Sequence, residues 1–146
     1  MPVCALILFF GLINSWLSGC ADLSGERLYP PIDESELVVL RTAPEDGASD
    51  VPVDAAITIW FSKPVDPATV RHDSVAVRSG DLHLRGQLTV DEQEEEEEGL
   101  HGRVVLEPFE KLPPSILFHI KVNRAVTDEV GNHLSSEYTS EFMTAP

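Results

Sequence analysis

Hydrophobic and polar positions alternate with period two in short runs along most of this chain, the mark of β-strands with one face turned inward. In residues 55–62, Ile57, Ile59 and Phe61 fall on one face and Thr58, Trp60 and Ser62 on the other. Residues 116–123 repeat the pattern, with Ile116, Phe118, Ile120 and Val122 in step. Runs at 37–42, 74–78, 82–90, 103–107 and 138–143 bring the predicted strands to seven. Within 82–90 the inward set is Leu82, Leu84, Leu88 and Val90, and Gly80-Asp81 just before it suits a tight hairpin turn. Turn chemistry separates the runs. Pro44 and Gly47 bracket a turn, Pro64 cannot donate to a ladder and ends a strand, and residues 128–132 (DEVGN) join an Asp that can accept from local amides to Gly and Asn, which tolerate positive φ. No run of ten or more residues has helical spacing, and residues 66–71 offer a single turn with Pro67 at its first position. The pattern predicts an all-β sandwich over residues 37–146, with Ile59, Phe61, Leu88, Ile120 and Phe142 in its core. It leaves open whether Trp60 is an exposed outward ring or a core residue.

The first twenty residues differ in kind, since they contain no Asp, Glu, Lys or Arg. Residues 3–13 form an apolar run with the length of a secretory h-region, shorter than the roughly 20 residues a membrane-spanning helix needs. Leu17-Ser18-Gly19-Cys20 follows. This tetrapeptide resembles the lipobox of bacterial lipoproteins. The resemblance implies that the Cys20 thiol receives diacylglycerol, that the chain is cut before it, and that the new N-terminus is acylated. Residues 1–19 are then a signal peptide. Residues 20–36, with Pro30-Pro31 and scattered charges but no apolar period, form a flexible tether. The absence of a basic residue from Met1-Pro2-Val3 keeps an uncleaved anchor helix as the alternative. Several acyl chains on one cysteine anchor a protein almost permanently. Ala21, standing where the lipoprotein rule places Asp for inner-membrane retention, implies the outer membrane. With Cys4 removed and Cys20 a thioether, no disulfide is available and the domain must be held by its core.

Charge narrows the partners. Of 146 residues, 25 are acidic and 10 basic, and the net charge of −15 argues against nucleic acid, whose binding relies on Lys and Arg displacing counterions. Seven of the eight residues 91–98 are acidic. Such a density of like charge cannot be buried, so the tract reads as a solvated loop between strands, with Glu94, Glu95 and Glu96 as contacts for Ca²⁺ or a cationic partner. The histidines at 72, 83, 101, 119 and 133 form no HExxH or HxH pattern, and His83 and His119 fall out of phase with inward residues, facing solvent. No GxSxG, P-loop or GxGxxG occurs. No catalytic residue, metal ligand or dissociable cofactor is assigned; the only prosthetic chemistry expected is diacylglycerol and N-acyl lipid on Cys20.

The turn and strand-end motifs carry a further resemblance. Ala43-Pro44-Glu45-Asp46-Gly47-Ala48, Val51-Pro52-Val53-Asp54, the stretch 57–70 (ITIWFSKPVDPATV), Leu106-Glu107-Pro108, Leu112 with Pro114, Val126-Thr127-Asp128 with Gly131-Asn132, and Phe142 resemble, in order and spacing, the SbsA-type bacterial Ig-like domains, first named in an S-layer protein. The resemblance implies a seven-stranded immunoglobulin-like β-sandwich behind the signal segment and tether, with Asp128 and Asn132 as loop contacts. It also implies a non-enzymatic module of the cell envelope, lipid-anchored to the membrane and serving a structural role or binding an envelope protein or glycan. Phe118 stands where the family usually has Tyr, which removes a hydroxyl bond of the tyrosine-corner kind and leaves packing to hold that corner. Two rivals remain. A copper-binding sandwich of the CopC type shares the Pro44-Glu45-Asp46-Gly47 turn and the Phe61-Ser62-Lys63-Pro64-Val65 strand end, but draws on a free N-terminal amine that acylation would block. A carbohydrate-binding module would rest on Trp60 alone.

Overall fold

Burial along the strands follows the period-two pattern and sorts nine strands into two sheets. The computed structural model describes residues 36–91 and 102–146, all within one unit spanning 32–146. Cys20, the tether up to residue 35 and Glu94, Glu95 and Glu96 lie outside the described residues. In chain order the strands are β1 (Val39–Ala43), β2 (Ala48–Val51), β3 (Ile57–Phe61), β4 (Val75–Ser79), β5 (Leu82–His83), β6 (Gly86–Asp91), β7 (Gly102–Pro108), β8 (Leu117–Val122) and β9 (Tyr138–Thr144). One sheet has the order β1-β3-β7-β6 and the other β2-β9-β8-β4-β5. Every pair is antiparallel except β2 with β9.

The count is nine rather than seven because two segments change sheets in mid-course. After β1 the chain turns through a cis Ala43-Pro44 bond and Gly47 (φ 76°), and β2 joins the other sheet beside β9. Residues 48–51 carry no period-two pattern that would predict a strand, Val51 being the only buried residue there, and the ladder is interrupted beside Asp50, whose φ of 57° falls where Asp is tolerated. The predicted run 82–90 divides in the same way. β5 pairs with β4 across the Gly80-Asp81 turn, and the chain then crosses to pair β6 with β7. Leu82 is consequently exposed instead of inward, and Leu88 is half-buried at the sheet edge. Gly86 makes the crossing possible, since a Cβ there would overlap the backbone carbonyl of Glu107.

The two inner faces meet in a single cluster. Ile57, Ile59 and Phe61 of β3 and Val104 and Leu106 of β7 pack against Val75 and Val77 of β4, Phe118, Ile120 and Val122 of β8, and Phe142 of β9. Phe118 stacks on Phe142 with ring centroids 5.5 Å apart and an interplanar angle of 17°, so aromatic packing occupies the corner that lacks a hydroxyl. A tyrosine hydroxyl does link the sheets, but from β9. Tyr138 OH lies 3.5 Å from Thr42 Oγ1 of β1, which also lies 3.4 Å from Ser140 Oγ and donates to the Pro44 carbonyl at 2.9 Å. The single turn expected near Pro67 is present as a 3-10 turn, Pro67–Thr69.

Phe61→Ala removes a fully buried ring and should lower stability by about 3–5 kcal/mol, read from urea or thermal unfolding. Gly86→Ala should cost about 1–3 kcal/mol by forcing β6 away from β7, and amide exchange should rise first in those two strands.

Candidate functional site

The strand end and turn motifs converge at one end of the sandwich. Ser62 follows β3 directly and holds the start of the described chain: its Oγ donates to the Glu36 carbonyl at 3.0 Å and accepts from Val38 N–H at 3.0 Å. Pro64 stops the ladder, and Val65, 2% exposed, forms an isolated bridge to Asp128. Asp66 caps the 3-10 turn by accepting from Ala68 N–H at 2.9 Å, and its own N–H donates to the Thr127 carbonyl at 2.9 Å. Thr69 Oγ1 donates to the Asp66 carbonyl at 2.8 Å and accepts from Thr127 N–H at 3.1 Å. The segment after β3 is thus tied to the segment before the DEVGN turn.

Asp128 is the centre of that turn. Its side chain is 3% exposed. Oδ1 accepts from the amides of Val130 (3.1 Å) and Asn132 (2.8 Å), Oδ2 accepts from Asn132 Nδ2 (2.9 Å), and Lys63 Nζ lies 3.9 Å from Oδ2. Burial taken alone raises the pKa of this carboxyl. The bond from the Asn132 side chain, the two amides and the Lys63 ammonium together outweigh burial and hold it below the ordinary value of 3.8. Both oxygens are therefore engaged by the turn itself and by Lys63. Asn132 is exposed, and with Arg124, His133 and Glu36 it lines a wide depression of about 440 Å³.

The remaining predicted features lie apart from this end. Asp91, read as the first residue of the acidic loop, is the last residue of β6, where it accepts from Arg103 Nη2 at 2.7 Å. Cross-strand pairing alone fixes that place, because Asp91 sits opposite Arg103. Trp60 faces outward, opposite Arg103 on one side and Arg41 on the other. Its ring is half-buried and carries the Arg41 guanidinium 4.1 Å from the centroid, where a sugar would have to stack. His72, His83 and His133 are exposed, and His119 Nδ1 lies 3.6 Å from Glu141 Oε2. Among the described residues no three His, Cys, Asp or Glu side chains are grouped to hold a metal ion.

Sequence reasoning missed one cleft, of about 310 Å³, where β5 crosses to β6. Leu82, Leu84, Arg85, Phe109, Glu110 and Lys111 are among the residues that line it, and Phe109 is 73% exposed. The available signal was Phe109 itself, a large aromatic placed just after a strand-ending proline and out of step with the inward residues of β7.

Asp128→Asn should destabilise the domain by about 1–3 kcal/mol at neutral pH, because an amide presents donors where the turn supplies donors. A carboxyl held below its unfolded value of 3.8 stabilises fully above that pH and loses the contribution as pH falls through the lower folded value. The gap between native and Asp128→Asn melting temperatures should therefore be constant from pH 7 to 5 and narrow below pH 4.

Residues 33–144 match the family described as bacterial Ig-like domain. No curated protein sequence matches the chain. Among solved structures, the N-terminal part of the bacterial S-layer protein SbsC superposes with a TM-score of 0.52 at 16% identity, covering 75% of this chain and 24% of that one. A longer SbsC structure gives 0.50 at 18% identity, covering 75% of this chain and 14% of that one, so the chain spans a small fraction of these proteins. CopC from Methylosinus trichosporium OB3b gives 0.48 at 12% identity, covering 76% of this chain and 95% of that one. With the match extending over most of its length and a two-sheet sandwich behind it, the chain belongs to the bacterial Ig-like domain family.

Proposed function

We propose that this chain is a non-enzymatic, lipid-anchored protein of the cell envelope whose Ig-like domain serves a structural or interaction role. The observation that carries the reading is adjacency: the lipobox-like Leu17-Ser18-Gly19-Cys20 is followed after a short proline-bearing segment by the family match beginning at residue 33. A domain placed that close to acyl chains on Cys20 is held at the membrane surface, and its turns and sheet edges are what it offers to an envelope protein or glycan. The outer membrane is the proposed location, on the strength of Ala21. The polar ties at the turn-bearing end support a module that keeps its shape without a disulfide: the Ser62, Thr69 and Asp128 bonds join segments distant in sequence.

Radiolabelled palmitate should enter the native protein in a bacterial host and place it in the membrane fraction. Cys20→Ala should lose the label and leave unprocessed protein of higher apparent mass. Label retained in Cys20→Ala would overturn the anchor.

A further inference from the structure

Three of the four sheet edges are blunted against further pairing. β1 breaks register between Val39 and Arg41, β2 is four residues long with an interrupted ladder, and β5 has two residues. β6, the free edge of the four-stranded sheet, differs: all six of its residues pair with β7 in continuous register. Phe109 N–H donates to the Arg85 carbonyl at 3.1 Å, so these two residues form a bonded antiparallel pair. Alternation then makes Gln87, Thr89 and Asp91 the bonded residues of β6, and Gly86, Leu88 and Val90 turn N–H and C=O out of the sheet. Gly86 is buried, whereas Leu88 and Val90 are half-buried against the core cluster. The open part of the edge therefore offers the backbone groups and apolar side chains of Leu88 and Val90.

The sequence of this edge complements an antiparallel copy of itself. With Thr89 opposite Thr89 of a second copy, Leu88 faces Val90 and Val90 faces Leu88, and these two bonded pairs use every backbone group the open edge offers. Side chains alternate between faces, so Leu88 and Val90 of both copies meet on the inner side and continue the core. On the outer side Thr89 meets Thr89, a favourable cross-strand pair, and the Gln87 amide meets the Asp91 carboxylate that Arg103 already holds. Residues 86–90 carry no charge, and the acidic run begins only at Asp91. Asp91 of one copy lies beside Gln87 of the other, about 14 Å along the strand from the second Asp91. That distance exceeds the Debye length of about 8 Å at physiological salt, and the two acidic runs leave in opposite directions. A parallel pairing would set them side by side, so charge selects the antiparallel one.

We propose that a second copy of this chain pairs along β6, joining two four-stranded sheets into one of eight strands. The pairing rests on the anchor reading in one respect: confinement of both copies to one membrane raises their effective concentration, so a short seam suffices.

The test uses the full-length protein in intact bacterial cells, oxidised with copper phenanthroline and resolved on a non-reducing gel. A chain processed and acylated at Cys20 has no other thiol, and residues opposite one another at a non-bonded position lie within disulfide reach. Thr89→Cys should therefore form a covalent dimer at least tenfold faster than Thr58→Cys, which is also half-buried on the outer face but sits in an inner strand of the same sheet. In the Thr89→Cys background, Gln87→Glu sets like charges opposite one another and should slow the reaction severalfold, and Gln87→Lys should quicken it. Equal rates for Thr89→Cys and Thr58→Cys would overturn the proposal, as would rates indifferent to the charge at position 87. A different protein seated on β6 would leave Thr89→Cys monomeric and overturn it too. Failure of the anchor reading shows separately, as a native chain that takes up no palmitate and cross-links through its own thiols. Thr89→Cys is then combined with Cys4→Ser and Cys20→Ser and judged by the same rates.

Discussion

The contact between two apolar sheet faces bears the whole weight of this domain, because both cysteines, Cys4 and Cys20, lie ahead of it and no covalent cross-link can share the load. That requirement explains the side-chain choices at the interface. β3, β7, β8 and β4 meet through Ile, Val, Leu and Phe, and the two largest inward groups of β8 and β9, Phe118 and Phe142, lie ring against ring. Residues with stiff χ1 and rings with few rotamers lose little freedom on burial, so a small core can retain a useful net stability. The polar groups admitted to the interior are small hydroxyls with nearby partners, such as Thr42 beside Ser140 and the Pro44 carbonyl.

Where the sheets end, polar bonds take over the task of fixing geometry. The stretch from Ser62 to Thr69 and the turn around Asp128 are far apart in sequence, and each is held locally by its own aspartate, Asp66 or Asp128. They are fixed against one another through the Asp66 and Thr127 backbones, the Thr69 hydroxyl and the Lys63–Asp128 pair. The motif that makes the family legible is therefore a set of mutual restraints. Removing one member of such a set leaves the donors or acceptors of the other without partners, which costs more than the net value of a single hydrogen bond.

How much of this could be read from the chain depended on how far each feature reaches. Ile57, Ile59 and Phe61, or Phe118, Ile120 and Val122, declare their inner face locally, because burial alternates with the pleat wherever a strand stays in one sheet. The crossing at residues 84–86 was not legible, since period two runs through it while the partner strand changes, and at residues 43–48 the turn was legible but not the change of sheet that follows it. Asp128 was readable as a turn residue, but its tie to Lys63 spans two distant segments. Asp91 looked like part of an acidic run until pairing with Arg103 placed it in β6. The cleft at the β5 crossing was the least legible, because Leu82, Arg85, Phe109 and Lys111 come from two segments that only folding brings together.

The parallel pairing of β2 with β9 bears on how the domain responds to force. A pull applied ahead of β1 and beyond the end of β9 draws these two strands in opposite directions along their shared axis. Gly47 N–H bonded to the Glu141 carbonyl and Ala145 N–H bonded to the Val51 carbonyl, each at 2.8 Å, are then loaded together in shear and do not open one after another. The Ser62 clamp on Glu36 and Val38 lies upstream of that pair and meets the tension first. A domain strung this way resists stretching through its terminal strands, as a lap joint resists better than a peeled seam.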